Sequence, residues 1–331
     1  MRGIPARIRR ANGLIAMLAL AACAPREAVP PGPTPAPLAV YGSTATMEIA
    51  PVLLAARDFY PGGTSVTDGG IPNLFGITAS YGGEPGVADV ATHAETQALR
   101  YSVEHPGIRI ILTVTEGHYR IVARRSAGIA SLADLKGKRI ATLANTSAGY
   151  FLARMLEQAG LRFSDVEAVR ISPLADIAGA LDRGEVDAVA IWEPHSADAA
   201  AVLGDDMIAF SGSGIYRELF NLNTTEENLA DPVKRRRIVA FVRSLFAAKD
   251  AIVRNPGDAQ ALVVDRAGFV HDQVAGAWSH LTFPMSLPDD LLDTLVREEA
   301  WLAEQDGRAA RSREELARLI DPTVLAEALA Q

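Results

Sequence analysis

Residues 139–160, RIATLANTSAGYFLARMLEQAG, contain a strand, a turn and a helix in immediate succession. The segment 139–143 is short and mostly apolar, which is typical of a buried strand. Asn145-Thr146-Ser147 follows, and polar side chains at such a turn cap the N-terminus of a helix. The next apolar side chains repeat at helical spacing up to Gly160: Phe151, Leu152, Met155, Leu156 and Ala159. A strand that runs directly into an amphipathic helix is the repeating unit of a parallel α/β sheet.

The same alternation extends in both directions along the chain. Further strands are predicted at residues 38–41, 87–91, 108–114, 118–123, 166–171 and 187–192. Further helices are predicted just after Ser43-Thr44 and at residues 94–104, 174–181, 232–254, 256–266 and 288–306. The predicted fold class is therefore α/β, because strands and helices alternate over most of the chain.

The chain beyond residue 37 is too long for one compact core, so we predict two lobes. Segments rich in glycine and serine, near Ser126 and at residues 211–214, separate the periodic stretches and mark the crossings between lobes. Lobe 1 is predicted to comprise residues 38–125 together with 212–331. Lobe 2 is predicted to comprise residues 126–211.

The candidate ligand-binding residues follow the predicted strands, where ligands of open parallel sheets bind. They are Ser43, Thr44, Thr92, Thr115, Thr146, Ser147, Trp192 and Glu193. Ser43-Thr44 and Thr146-Ser147 are predicted to open helices, whose free N–H groups hold anions or polar oxygens. The two pairs could instead only cap their own helices. Trp192 could cover a ligand or belong to the core, and Glu193 could bind an ammonium group or lie at the cleft rim.

The first residues of the chain form a targeting signal. Four arginines precede a short apolar run at residues 14–20, which is too short to span a bilayer. The run ends in Leu20-Ala21-Ala22-Cys23, which resembles the bacterial lipobox, with Cys23 as the lipidation site. Residues 1–22 are then the signal peptide. Residues 23–37 contain six prolines and predict an extended tether behind the acylated cysteine.

Several motifs between residues 131 and 194, in this order, resemble one family of periplasmic binding proteins. They are SLADLKGKRI at 131–140, NTS at 145–147, ALDRGEVDA at 180–188 and WEP at 192–194. The matching branch contains the nitrate, taurine and sulfonate binders and the binders of thiamine-precursor pyrimidines. The resemblance implies a two-lobed periplasmic-binding-protein fold, with a two-segment hinge and the ligand in the cleft between the lobes.

The same resemblance implies a solute-binding lipoprotein of an ABC-type uptake transporter. Its partners would be a small-molecule ligand, the permease and ATPase subunits, and the membrane through the lipid anchor. We expect a monomer at the cell envelope, facing the periplasm or the cell exterior. The helix ends suit a nitrate, sulfonate or carboxylate, whereas Trp192 and Glu193 suit an aromatic, pyrimidine-like or amine-bearing compound.

Composition narrows the function further. The formal net charge is −8, which argues against a nucleic-acid partner because such binding needs basic patches. The single cysteine allows no internal disulfide, and the scattered histidines form no metal motif. We therefore expect no cofactor, no metal and no catalytic residues. Two alternatives remain: an enzyme of the thiamine-pyrimidine synthesis type on the same fold, and a sensory input that reports to a receptor.

The lipobox gives the first prediction. Cys23→Ser removes the thiol that would be acylated, so the variant is expected to remain unprocessed or to be released without lipid. Membrane fractionation with metabolic labelling by a radioactive fatty acid measures both outcomes. Normal acylation of the variant would contradict the assignment of Cys23.

Overall fold

The computed structural model describes residues 36–78 and 82–330. The predicted signal peptide, Cys23 and all but the end of the predicted tether lie outside these residues. Within them the strands are β1 (Val40–Gly42), β2 (Val66–Asp68), β3 (Val90–Ala94), β4 (Ile108–Gly117), β5 (Arg120–Arg124), β6 (Arg139–Ala141), β7 (Glu167–Val169), β8 (Ala188–Ile191), β9 (Met207–Ser211), β10 (Glu218–Thr225) and β11 (Leu281–Thr282). They form two sheets, in the orders β11-β4-β10-β3-β1-β2 and β7-β6-β8-β5-β9.

Helices connect and cover these strands. They are α1 (Ala50–Leu54), α2 (Glu95–Tyr101), α3 (Ser147–Glu157), α4 (Ile177–Asp182), α5 (His195–Leu203), α6 (Glu226–Ala230), α7 (Pro232–Arg254), α8 (Gly257–Ala267), α9 (His271–Ala277), α10 (Leu291–Gln305), α11 (Arg313–Ala317) and α12 (Thr323–Leu329). The helix predicted at 232–254 is confirmed at both ends, where Asp231 caps it and Pro232 begins it. The helices predicted at 256–266 and 288–306 are confirmed with small shifts of their ends.

The first sheet is mixed, and its central strand was not predicted. β1 runs parallel to β2 and β3, whereas β10 lies antiparallel between β3 and β4. All eight residues of β10 are buried, including Glu218, Asn221 and Asn223. β10 was not predicted because a buried strand was expected to be a run of apolar residues. The polar side chains are tolerated in part because neighbouring groups bond them, as Asn223 Nδ2 bonds the Ala91 carbonyl oxygen at 3.2 Å.

The second sheet comprises residues 120–211. Its strands β6, β7 and β8 are parallel, and β5 pairs antiparallel with both β8 and β9. β5 therefore belongs to the second sheet, whereas the expected boundary at 125/126 placed it in lobe 1. The reason for the difference is that strands β4 and β5 are separated only by His118 and Tyr119, and nothing in that short segment signals a change of sheet. The chain returns to the first sheet between Ser211 and Glu218.

Each sheet has its own hydrophobic core. The α7 residues Ile238 and Val242 are buried together with Val40 and Val90 of the first sheet. On the other face of that sheet, the α10 residues lie in a further cluster with side chains of β4 and α2. A separate core, with buried members between Tyr119 and Tyr216, covers the second sheet. The predicted α/β class with two lobes is therefore confirmed, and the long C-terminal helices lie on the first lobe as expected.

The chain after β1 follows a different path from the predicted one. No helix opens at Ser43-Thr44, because the first helical residue is Ala50. The loop between them is held by Asp68, whose Oδ1 accepts from both the backbone N–H and the hydroxyl of Thr44 at 3.0 and 2.9 Å. At the start of the loop, Gly42 lies close to Thr92 and Ile49. A β-carbon at Gly42 would meet Thr92 Oγ1 at 2.2 Å and Ile49 Cδ1 at 2.4 Å.

This close approach gives a stability prediction. Gly42→Ala must push Thr92 and Ile49 apart, so it is expected to lower the free energy of unfolding by about 1–3 kcal/mol. Gly276→Ala is the matched control, because Gly276 lies in α9 with open space where its β-carbon would be. The control is expected to gain about 0.4–1 kcal/mol. Urea unfolding of both variants measures the difference, and equal stability would contradict the close approach at Gly42.

Candidate functional site

A cavity of about 40 Å³ lies where the two lobes face each other. Its lining combines residues of the first lobe with residues of the second. Those of the first lobe are Thr46, Glu48, His93, Ala94, Thr96, Gln97, Glu218 and Phe220. Those of the second lobe are Thr146, Ser147 and Trp192.

The second lobe contributes the start of α3. Thr146 is the N-cap of this helix and accepts a hydrogen bond from the Ala148 backbone N–H at 3.2 Å, so the prediction that Thr146-Ser147 opens a helix is confirmed. The Ser147 hydroxyl reaches across to Glu218 Oε1 of the first lobe at 3.3 Å. It also shares a hydrogen bond of 3.1 Å with the Tyr119 hydroxyl. Thr146-Ser147 therefore both caps its helix and lines the cavity.

Trp192 follows β8 and is partly buried against the core of the second lobe. One part of its side chain lines the cavity. The indole Nε1 is buried and has no hydrogen-bond partner among the described residues. Trp192 thus belongs to the cavity wall and to the edge of the core at once.

Three residues expected from the first lobe are near the cavity without lining it. Ser43 and Thr44 lie earlier in the loop that reaches the cavity at Thr46. Thr92 is fully buried beneath Gly42. Their positions follow from the late start of α1, which carries the loop past Thr44 before it turns into the cleft.

Thr115 has a supporting position. Its hydroxyl donates a hydrogen bond of 2.7 Å to the backbone carbonyl oxygen of Glu48. Thr115 is at the end of β4, so this bond ties the cavity loop to the rigid first sheet. The residue therefore holds Glu48 in place and does not itself line the cavity.

Glu193 interacts with residues outside the cavity wall. Its carboxylate pairs with Arg120 at 3.0 Å and accepts from the Ala197 backbone N–H at 2.9 Å. His280 of the first lobe lies 3.7 Å from the same carboxylate. Burial raises the pKa of Glu193, although Arg120 opposes the rise. Glu193 is not among the residues that line the cavity.

Two glutamates in the cavity wall were missed by the sequence analysis. Glu48 is 2% exposed, and no described residue donates a hydrogen bond of ordinary geometry to its carboxylate oxygens, although the side chains of Thr46 and Glu218 lie close enough to act on its pKa. Glu218 is 5% exposed, and its Oε2 likewise has none. Burial raises the pKa of Glu48 to about 7, and the charge of Glu193 adds to the rise. Burial, together with the charges of Glu48 and Glu95, raises the pKa of Glu218 well above its ordinary value.

The remaining titratable group of the wall is neutral near pH 7. Burial lowers the pKa of His93 to about 4, and its Nδ1 accepts from the Ala94 backbone N–H at 2.9 Å. The residues of the cavity wall therefore include carboxyl and imidazole groups of the first lobe and hydroxyl and indole groups of the second. Most of the surface that faces the cavity is apolar, and the unpaired polar atoms of Glu48, Glu218 and Trp192 are buried behind it.

The sequence carried a weak signal for Glu218. This residue begins ELFNLNTT, residues 218–225, in which apolar and polar side chains alternate over the short stretch 220–223, as in a strand. Recognising that alternation would have placed a glutamate at a strand end beside the expected cleft. Glu48 had no comparable signal, because it lies in the apolar stretch that leads into α1.

Two α/β lobes, each with its own core and with a cavity between them, define the class of two-lobed periplasmic binding proteins. The fold is similar to that of the periplasmic aliphatic sulphonate binding protein SsuA from Escherichia coli, with a TM-score of 0.65 and 18% identity over 85% of this chain and 92% of that chain. It is also similar to that of the desulfurization enzyme DSZB, with a TM-score of 0.59 and 16% identity over 89% of this chain and 99% of that chain.

The sequence identifies the family. The family model described as NMT1/THI5 like matches residues 84–259, more than half of the chain, and the chain belongs to this family. A protein named as an aliphatic sulfonates-binding protein of Escherichia coli (strain K12) is 30% identical over 165 residues. That match covers 48% of this chain and spans about half, 49%, of the relative. The resemblance noted in the sequence is therefore confirmed at the level of the family.

Two further observations concern the described residues only. None of the helices in residues 36–78 and 82–330 combines the length and the apolar character needed to cross a bilayer. In the same ranges, no three His, Cys, Asp or Glu side chains are grouped so that they could hold a metal ion.

The unpaired Glu48 gives a prediction about stability and pH. The pKa of Glu48 rises from 4.5 to about 7 on folding, so the native protein loses stability as the pH rises through this interval. Glu48→Gln cannot ionise. At pH 8 it is expected to unfold with a free energy higher than that of the native protein by at least about 1.4 kcal/mol, which corresponds to one pKa unit. The gain is expected to shrink at pH 5, and urea unfolding at both pH values measures it.

Glu299→Gln is the control of opposite sign. Glu299 is buried, which opposes ionisation, but the guanidinium groups of Arg311 and Arg308 lower its pKa to about 2. Loss of its charge leaves both arginines without their partner, so the variant is expected to be less stable than the native protein at pH 8. If Glu48→Gln is also less stable than the native protein at pH 8, the Glu48 carboxylate has a stabilising partner, and the claim that it is unpaired is wrong.

Proposed function

We propose that this protein is the solute-binding component of an ABC-type uptake transporter. It captures a small solute between its lobes and presents the closed form to the permease and ATPase subunits. One observation carries the proposal: the cavity is walled by polar side chains of both lobes, with Thr146, Ser147 and Trp192 facing Glu48 and Glu218. A site shared between two lobes couples solute binding to their closure.

Three direct contacts across the cleft support this mechanism. Ser147 donates to Glu218 at 3.3 Å, and Gln97 Nε2 donates to the Asn145 carbonyl oxygen at 3.3 Å. Farther from the cavity, Gln273 Nε2 donates to Asp198 Oδ2 at 2.9 Å. Each of these hydrogen bonds is worth about 1 kcal/mol net, and ring contacts between the lobes, such as that of Tyr150 with Trp301, add to them. A solute that prefers the closed form can shift the balance toward closure. The lobes would move about residues 118–119 and 212–217, where the chain crosses between the sheets.

The setting of the protein belongs to the same proposal. Cys23 would carry the lipid anchor, so that a monomer stands at the cell envelope on its proline-rich tether. The relative named for aliphatic sulfonates binding and the SsuA structure support a binding role, and we propose binding without chemical conversion. The enzyme alternative has a precedent in the fold through DSZB.

Tryptophan fluorescence tests the proposal. A thermal-shift screen with nitrate, ethanesulfonate, taurine, alkylamines, amidines and aminopyrimidines identifies a solute, which at 100 times its dissociation constant adds roughly 2.7 kcal/mol of stability. Binding of that solute is expected to change the emission of Trp192. The change is expected to disappear in Trp192→Phe and to persist in Trp278→Phe, because Trp278 packs against Phe283 away from the cavity.

The outcomes separate the alternatives. An unchanged fluorescence response in Trp192→Phe means that the solute binds outside the proposed cleft. A solute that is recovered chemically altered after incubation favours an enzyme. If no solute of the screen raises the melting temperature, the proposed binding function itself is contradicted.

A further inference from the structure

We propose that the cleft binds a cationic nitrogen group, either a protonated amine or an amidinium, between the carboxylates of Glu48 and Glu218. The inference rests on the proposed solute-binding function and names the chemical class of the solute. It separates this protein from a binder of sulfonate or nitrate. The argument depends on four features of the cavity: the unsatisfied oxygens, the closeness of the two carboxylates, the charges around them and the contrast with other buried acids.

The first feature is the set of unsatisfied carboxylate oxygens. Both oxygens of Glu48 and Oε2 of Glu218 are buried on the cavity wall without a hydrogen-bond partner among the described residues. A buried acceptor that lacks a donor is costly, and a carboxylate more so than a neutral group. These oxygens can be satisfied by a ligand that brings N–H donors and positive charge.

The second feature is the closeness of the two carboxylates. A β-carbon at Gly117 would lie 3.1 Å from Glu218 Oε2 and 3.5 Å from Glu48 Oε1, so the two oxygens are near neighbours. An amidinium has N–H groups on two nitrogens, and a protonated amine has up to three donors, so either could contact both carboxylates from the cavity side.

The third feature is the sign of the surrounding charges. No lysine or arginine is among the described residues that line the cavity. Nearby arginines have partners, since Arg120 pairs with Glu193, and Arg217 pairs with Glu116 and Asp290. An anion in the cavity would meet two carboxyl groups and no compensating charge, which is unfavourable at low dielectric. A cation would neutralise the pair.

The fourth feature is the contrast with a structural acid of the same protein. Glu299 is fully buried, but Arg308 and Arg311 donate to both of its oxygens at 2.5 to 3.2 Å. Glu48 and Glu218 are almost as deeply buried and have no such partner. Glu298 is also buried and lacks donors to its oxygens among the described residues, but it does not line the cavity. Of these acids, only Glu48 and Glu218 lie where a partner from outside could reach them.

Matched solutes test the charge class. Benzamidinium and benzenesulfonate have the same ring, and butylammonium and butane-1-sulfonate have the same carbon chain. Benzamidinium, butylammonium or both are expected to raise the melting temperature at pH 8, and the two sulfonates are expected to have no effect. Titration calorimetry gives the dissociation constant of the cation that binds.

Variants assign the effect to the two carboxylates. Glu48→Gln and Glu218→Gln are each expected to weaken cation binding about ten- to 150-fold, because a charge-assisted hydrogen bond is lost. Gly117→Ala places a methyl group 3.1 Å from Glu218 Oε2 and 3.5 Å from Glu48 Oε1, so it is expected to displace the carboxylates and to weaken binding as well. Glu227→Gln removes an acid from an exposed position of α6 and is expected to bind like the native protein. Circular dichroism confirms that each variant is folded.

Each outcome bears on one proposal. If a sulfonate or nitrate binds and the cations do not, the charge class is overturned while the solute-binding function stands. If a cation binds but both glutamine variants retain its affinity within twofold, the site assigned to Glu48 and Glu218 is overturned. If neither cation stabilises the protein, the inference is overturned. Failure of every solute in the broader screen overturns the proposed function as well.

Discussion

The burial of carboxylates that have no counter-ion is the constraint on which the cleft depends. Glu218 is at the start of β10, the strand inserted between β3 and β4, and Glu48 is held beside it through the Thr115 hydroxyl. Both carboxylates are desolvated by burial in the first lobe, so ionisation of either one is costly in the unliganded protein. The rest of the first sheet provides the rigidity that keeps both groups in place despite this cost.

The second lobe reaches this pair with hydroxyl and indole groups. Ser147 at the start of α3 donates to Glu218, and Tyr119 supports Ser147 from the segment between the sheets. The two lobes thus make contact at the Glu218 carboxyl group. A solute that changes the charge of this carboxyl group also changes the contact between the lobes. The same few atoms would therefore bind the solute and join the lobes, which would couple binding to the change from the open to the closed form.

Local sequence patterns predicted elements whose structure depends on nearby residues. The helix at Pro232–Arg254 was predicted because its cap and its apolar stripe are contiguous in the chain. The turn at Thr146-Ser147 was predicted for the same reason. β10 was missed, because its buried polar residues are stabilised by partners from distant segments, such as the carbonyl oxygens of Asp89 and Ala91. The assignment of β5 was wrong because strand pairing is not encoded next to the strand.

The sequence by itself determined the α/β class, the family and the cap at the N-terminus of α3, because hydrophobic periodicity, short motifs and helix caps are local properties of the chain. The tertiary structure alone decided which polar groups share the cavity. It brought Glu48 and Glu218 together and drew Glu193 to Arg120. The physical reason is that convergence depends on sheet order and on burial. Both arise when distant segments pack, and neither is readable from neighbouring residues.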